Sequence, residues 1–506
     1  MLNESPFFDP ESGEQCDAIV VDKFSFLLPC KAFRIKYTIS KGYDLAITYE
    51  FILRFLKING PTDIDILKQY FGFSSSEIAI ELNKLINDGY IKKTVNTNEV
   101  KLTSQGEDLF VEDKPEIIRT ENVTDKFFVE LISYNLVKSQ KSPYINALID
   151  MKMTQAEAQA AANNITKAKD SFKNGFYQFS EIKEGKDSGL RINLRKIDNI
   201  TALNSFPAEV QANIEFKISP SLDLELQLPR LKEFQDPSKI LRVIRRSANS
   251  ISSKQKRIDK SQLQNFVDLI QDENLISNYM TKDNRFLFLN YIRDVFISQS
   301  REFEYPDTKS IIGSALLGQN FQDILNLVNI AKPNDKTDEK SNLLWLRPTY
   351  PFWGRSKESI ENINIIKRVL KEDDGRFVLF TDKDNAGIKG WDARKRYKYY
   401  FDSIIEIDII PELENIEIIL MPGKFVCSLY YHSIKDNPYR IPFGFKSTNL
   451  AIVEKIQKRL TEYLDGKIIA DVLDYDKTYL KPELVKEIMR LLHSRVISGA
   501  EKVKIS

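Results

Sequence analysis

The stretch SSSEIAIELNKLINDGYIKKTVNTNEVKLTSQGEDLF, residues 74–110, changes its period halfway along. Its serines and Glu77 form a helix start, and Ile78, Leu82, Leu85 and Ile86 recur on one helical face. Gly89 then supplies the left-handed residue that closes a helix. From Tyr90 the pattern alternates, turns at Asn96-Thr97-Asn98 and alternates again, which predicts a small hairpin. Upstream, YDLAITYEFILRFLKINGP (43–61) places Leu45, Tyr49, Ile52, Leu53 and Leu56 at helical spacing before a Gly-Pro stop. TDIDILKQYFGF (62–73) predicts a short second helix closing near Gly72. Residues 41–112 thus predict three helices followed by a hairpin.

This order, with the phrase L..L...GYI.K....N...LT..G, resembles the winged helix-turn-helix domain of bacterial regulators. The resemblance implies a nucleic-acid-binding fold whose third helix and wing meet DNA. A DNA-reading third helix carries Arg, Lys, Asn or Gln for base edges and phosphates, whereas this one carries Glu77, Glu81, Asn83 and Lys84. The wing is richer, with Lys92, Lys93 and Lys101. Use of the same domain as a protein-docking surface stays open.

At 506 residues the chain is long enough for several domains, and 42% apolar residues with 31 Phe and 21 Tyr fill cores. Basic and acidic residues nearly cancel, 73 against 72, so a polyanion must be met by a local patch. Cys16, Cys30 and Cys427 form no C-x-x-C pair, which fits a reducing compartment and argues against structural zinc. The start MLNESPFFDPESGEQ lacks the basic and apolar regions of a signal peptide, and no apolar run has membrane-spanning length. A cytoplasmic protein with no membrane partner is expected.

The whole is predicted as a multidomain α+β and α/β protein. Residues 1–40 are expected as a leader. Residues 113–335 are expected as a mainly helical middle region, with helices over 127–140 and 154–179 and a strand-bearing insert near 190–230. The segment 238–260 is the main charge anomaly: Lys239, Arg242, Arg245, Arg246, Lys254, Lys256, Arg257 and Lys260 stand against a single acid, Asp259. Such a run can neutralise several phosphates, and its bland alternative is a solvated face balanced elsewhere. The polar run PNDKTDEKSN (333–342) marks a domain boundary.

Residues 343–480 alternate strands and helices, predicting an α/β sheet covered on both faces, and 481–506 a helical tail that holds His493. The sheet segment resembles phospholipase D-like nucleases, whose motif is H-x-K, four residues, D, six residues, G-S-x-N. Here His432, Ser447 and Asn449 keep that spacing, while Ile434, Tyr439 and Lys446 replace the lysine, aspartate and glycine. The resemblance implies a degenerate, inactive domain in which Lys435, Lys446, Ser447 and Asn449 contact phosphate and His432 is a vestigial nucleophile. A second, local resemblance is to the D-x-D-x-x-G element of TOPRIM domains, in FVLFTDKDNAGIKG. It implies that Asp382 and Asp384 hold Mg²⁺, although the preceding strand carries no glutamate. No cofactor is otherwise expected. Downstream, Arg394, Lys395, Arg396 and Lys398 interleave with tyrosines and suit nucleic acid, or else pack as an ordinary surface helix.

No P-loop, dinucleotide fingerprint, H-E-x-x-H or nucleophile elbow occurs. The expectation is a nucleic-acid-binding, catalytically inactive accessory subunit of a bacterial DNA-processing or antiphage defence complex. DNA is the expected ligand, and partner subunits would supply any ATPase or nuclease. The alternatives are a Mg²⁺-dependent or phospholipase D-type nuclease, and a docking scaffold.

Overall fold

A computed structural model describes residues 18–492 apart from 45–46, 95–96, 111–115, 138–143, 163, 178, 181–190, 218–222, 228–235, 253–259, 284, 299–300, 333–340, 383–395, 435–436, 472–485, 487 and 491. In chain order the elements are β1 (Ala18–Asp44), α1 (Ile47–Asn59), β2 (Thr62–Asp63), α2 (Ile64–Phe71), α3 (Ser75–Asn87), β3 (Ile91–Lys93), β4 (Glu99–Leu102), α4 (Ser104–Asp108) and β5 (Glu116–Glu130). Next come β6 (Ile149–Asp150), α5 (Gln155–Ala162), α6 (Ile165–Asn174), β7 (Arg191–Lys217), β8 (Asp223–Gln227), α7 (Pro237–Ser252), α8 (Lys260–Ile270), α9 (Glu273–Tyr279) and α10 (Phe288–Ser298). The rest is β9 (Thr308–Ile312), α11 (Gly318–Ile330), β10 (Leu343–Leu346), α12 (Lys357–Lys371), β11 (Phe377–Asp382), β12 (Ser403–Ile407), β13 (Ile416–Met421), β14 (Phe425–Ser433), β15 (Arg440–Ser447), α13 (Leu450–Leu464) and β16 (Ile468–Asp471).

The protein is mixed α/β and divides into two compact units. The smaller comprises 29–139 and 155–206, the larger 1–28, 140–154 and 207–506. Both units are built from discontinuous segments, and the middle region contributes to both.

In the smaller unit, helices α1–α3 and a sheet of order β2-β4-β3 enclose Ile52, Leu53, Leu56, Leu67, Ile78, Leu82, Leu85, Val100 and Phe110. Local chemistry fixes the ends. Asp63 caps α2 by accepting from the Asp65 N–H at 2.8 Å, and Gly72 closes it at φ 68°. Ser74 and Glu77 cap α3 reciprocally, at 3.2 and 2.8 Å. A second core joins β1 and β5, antiparallel from Cys30↔Glu130 to Asp44↔Glu116, to α6 through Phe33, Tyr37, Phe127, Phe172 and Phe176.

Two expectations fail here. Residues 127–130 of the predicted 127–140 helix belong to strand β5, where Phe127 and Val129 point into the core. The predicted helix over 154–179 is broken between α5 and α6.

The larger unit holds an eight-stranded sheet of order β16-β12-β11-β10-β13-β14-β15-β9. Strands β10, β11 and β12 are parallel, and the remaining pairs are antiparallel. Its central strands are buried along their length up to the half-buried Asp382 at the end of β11, as near-continuous apolar runs require. Helix α12 contributes Ile360, Ile363, Ile366 and Leu370, and α13 contributes Ile452, Val453, Ile456 and Leu460. The sheet begins before the predicted boundary, because β9 at 308–312 pairs with β15. It includes β15, antiparallel to both β14 and β9.

Candidate nucleic-acid interface

Helix α7 is strongly two-faced. Ile240, Val243, Ile244, Ser247 and Ala248 are buried, which turns Lys239, Arg242, Arg245, Arg246 and Asn249 to the opposite side. Pro237 begins the helix and Asp236 Oδ1 accepts from the Lys239 N–H at 3.0 Å. A concavity of about 510 Å³ opens on this face, lined by Ser238, Leu241, Arg242, Arg245, Arg246 and Asn249. Arg246 Nη2 donates to the Lys152 carbonyl at 3.0 Å, and the Lys152 N–H donates to Ser247 Oγ at 3.3 Å. Those bonds fix the helix against residues 151–152. No ion pair engages Arg242 or Arg245 among the described residues. Arg242 and Arg245, one turn apart, thus present two exposed guanidiniums beside hydrogen-bonding Ser238 and Asn249. Guanidiniums and hydroxyl or amide groups of this kind suit phosphate oxygens and carry no base-reading pattern by themselves.

Of the remaining basic candidates, Lys254, Lys256 and Arg257 lie outside the described residues, and Lys260 opens α8. Lys92 and Lys93 are exposed on β3, as expected of a basic hairpin, and Lys92 pairs across the ladder with Lys101. Arg394 and Lys395 are outside the described residues. Arg396 is buried, as are Tyr397 and Tyr400, and the Tyr397 hydroxyl donates to the Trp353 carbonyl at 3.0 Å. Among the described residues of the expected basic-aromatic stripe, Lys398 is the exposed cation, 4.6 Å from the exposed Tyr399 ring. Tyr397 and Tyr400 pack on the core, and Tyr399 alone of the three is exposed.

The nuclease-like constellation does not assemble. In the β14–β15 hairpin His432 pairs with Ile441 while Ser447 pairs with Val426. Six strand residues separate the two sites, about 20 Å at 3.4 Å per residue. The His432 ring instead stacks on Phe288 at 4.6 Å, with Phe443 and Phe286 at 6.0 and 6.1 Å. Burial pulls its pKa down to about 4, which keeps the imidazole neutral. Ser447 Oγ hydrogen-bonds Thr308 Oγ1 at 2.8 Å, Asn449 caps α13 by accepting from the Ala451 N–H at 3.1 Å, and Lys446 pairs with Asp323. Ser447, Asn449 and Lys446 thus each have a local structural partner. Lys435 and His493 lie outside the described residues.

Asp382 ends β11, and Asp384 lies outside the described residues. Burial raises the Asp382 pKa to about 6, with Arg347 acting in the opposite direction. Among the described residues no three His, Cys, Asp or Glu side chains gather as a metal site, and no helix is long and apolar enough to cross a membrane. Sequence reasoning did not single out Arg347, Arg355 or Arg440, which are buried at the same edge of the sheet as Asp382. The signal for Arg347 and Arg355 was the pair of arginines bracketing the loop RPTYPFWGR, and Arg440 opens β15. Compared with family models, with curated proteins and with solved structures, the chain matches none.

Proposed function

We propose that this chain is a nucleic-acid-binding protein that serves as a non-catalytic accessory subunit of a DNA-processing or antiphage defence complex. The observation that carries the binding is the exposed face of α7, where Arg242 and Arg245 border a concavity with Ser238 and Asn249. The order of α1–α3 and the β3–β4 hairpin supports a winged helix-turn-helix reading of residues 41–112, with Lys92 and Lys93 on the wing. The His432 packing and the separation of His432 from Ser447 weigh against phosphodiesterase chemistry.

The same three-helix region also favours protein docking. Ile47, Phe51 and Ile58 lie on one stripe of α1, and Ile66 and Tyr70 on one stripe of α2, all exposed. Tyr70 packs on Phe55 at 4.6 Å, so the two stripes meet. Exposed apolar residues grouped in this way mark interaction surfaces, and an accessory subunit requires one.

The test is the salt dependence of binding to duplex DNA, read by fluorescence anisotropy. Each neutralised phosphate contributes roughly −0.9 to the slope of log K against log salt. Arg242→Glu with Arg245→Glu is expected to reduce the magnitude of that slope by about 2 and to weaken binding at least tenfold at about 0.1 M salt. A wild-type chain whose DNA affinity is absent, or indifferent to salt, would sink the reading and leave docking.

A further inference from the structure

The antiparallel pairing of β1 with β5 lies wholly in the smaller unit and has two faces of opposite character. Successive side chains of a strand alternate between faces, and residues directly opposite in an antiparallel ladder share one. Phe33, Ile35, Tyr37 and Ile39 are buried on the inner face. The acids of β5 in this stretch go with them. Asp125 lies opposite Ile35 and accepts from the Tyr37 hydroxyl at 2.7 Å, and Glu121 lies opposite Ile39. The outer face carries Arg34, Lys36 and Thr38 on β1, opposite Lys126, Thr124 and Asn122 on β5. All of these but Thr38, which is half-buried, are exposed.

Arg34 and Lys126 thus stand directly opposite one another, their Cβ atoms roughly 5 Å apart, with Lys36 about 7 Å along the strand from Arg34. Like charges in that position destabilise a sheet. No side-chain hydrogen bond or ion pair engages any of the three among the described residues. Strand β7 borders β1 on its other side. Its Asp198 comes within 3.2 Å of Thr38 Oγ1, but Lys196 already pairs with that carboxylate at 2.9 Å. Arg195 adds another cation, its Nε donating to Ser40 Oγ at 2.9 Å. Phe206, further along β7, packs edge to face on Phe128 of β5 at 5.3 Å. The residues between Asp198 and Phe206, NITALNS (199–205), are all uncharged. The fold therefore sets three cations together and supplies no carboxylate to meet them.

We propose that this outer face is a second nucleic-acid contact, on which Arg34, Lys36 and Lys126 neutralise backbone phosphates and Asn122 and Thr124 hydrogen-bond their oxygens. A phosphate chain supplies the counter-charge that the sheet omits, and interleaved hydroxyl and amide groups suit it. The described residues of the face expose no large apolar side chain of the kind protein partners bury, which favours nucleic acid over an acidic protein. The inference rests on the nucleic-acid-binding reading above. It shares no residue with α7 and belongs to the other unit, so the two surfaces can be tested apart.

The test is the anisotropy titration of duplex DNA with the full chain carrying Arg34→Gln, Lys36→Gln and Lys126→Gln. At roughly 0.9 per phosphate, the magnitude of the salt slope should fall by roughly 2–3, with binding weakened at least tenfold at about 0.1 M salt. The same decrement is expected when the three changes are added to Arg242→Glu with Arg245→Glu. Circular dichroism checks the fold, and if the triple chain does not fold, Lys126→Gln alone decides, with about 0.9 expected off the slope. A second measurement needs no DNA. Relief of the Arg34–Lys126 repulsion should raise the thermal midpoint of Lys126→Gln above wild type at about 0.01 M salt, and the gain should vanish near 1 M. A slope unchanged in the folded variant overturns the proposal while leaving the α7 reading to its own variants. A Lys126→Gln midpoint below wild type at low salt overturns it too, because the lysine would then serve the fold. A wild-type chain without salt-sensitive DNA affinity overturns both readings together.

Discussion

Two side chains of the larger unit have pKa values that burial shifts in opposite directions. His432, packed on Phe288, has a folded pKa of about 4 against an ordinary 6.5. Between those values the unfolded chain holds the extra proton, so its contribution to stability is complete above 6.5 and is lost as pH falls towards 4. Asp382 has a folded pKa of about 6 against an ordinary 3.8. There the folded chain holds the extra proton, so the contribution is complete below 3.8 and is lost as pH rises through 6. Each effect is on the order of 1–3 kcal/mol after allowance for partial exposure, and in the wild type they oppose one another. Asp382→Asn should therefore be more stable than wild type at pH 7 and converge with it near pH 4, as read from urea midpoints. His432→Phe should lose less stability than wild type between pH 7 and 4.5. Parallel pH profiles for wild type and both variants would show that burial does not govern these groups. The motif spacing around His432 was legible in the sequence. What it meant was not, since Phe286 and Phe288 lie far from it in the chain and decide its chemistry by contact.

The β14–β15 hairpin shows what a strand needs to be recognised. Its second strand, RIPFGFKS, contains a proline and a glycine, and both residues weigh against a central strand when the sequence is read alone. Yet Ile441, Phe443 and Phe445 alternate into the core, and Pro442 lies near the strand's start. Gly444 is required by its neighbour. A Cβ there would stand 2.0 Å from the Ser428 carbonyl oxygen, too close for any side chain. Gly444→Ala should cost about 3 kcal/mol or more, because strand backbones would have to separate. Gly60→Ala, at φ 72° with open space around it, should cost only about 1 kcal/mol. Chemical denaturation of the two variants provides the comparison, and equal losses would contradict this β14–β15 packing. The helices over 47–87 were legible because their caps and periodicity lie within each segment. The 127–130 strand was not, because FFVE is compatible with either period until pairing with β1 selects one.

At the scale of the molecule, the chain forms two units that each use discontinuous segments. No local signal marks such an arrangement, since the breaks fall at Leu28, Ser139, Thr154 and Phe206, two of them inside the long strands β1 and β7. A chain of this size is not expected to unfold in one step, and the tryptophans allow the units to be followed separately. Trp345, Trp353 and Trp391 all belong to the larger unit. Two of them donate to the buried Glu417, Trp345 at 2.8 Å and Trp353 at 2.6 Å, and Tyr431 completes the carboxylate's bonds at 2.8 Å. Tryptophan fluorescence therefore reports the larger unit, and far-ultraviolet circular dichroism reports both. Leu53, fully buried in the three-helix core, and Ile363, fully buried on α12, are matched probes. Each change to alanine should cost about 2–5 kcal/mol. Leu53→Ala is expected to shift part of the dichroism transition and leave the fluorescence midpoint in place, whereas Ile363→Ala moves the fluorescence midpoint. If Leu53→Ala moves both signals together, the units unfold as one cooperative body. In that case, a Leu53→Ala chain held where only its smaller unit is unfolded could not be used to test whether the α7 face binds DNA without the three-helix region.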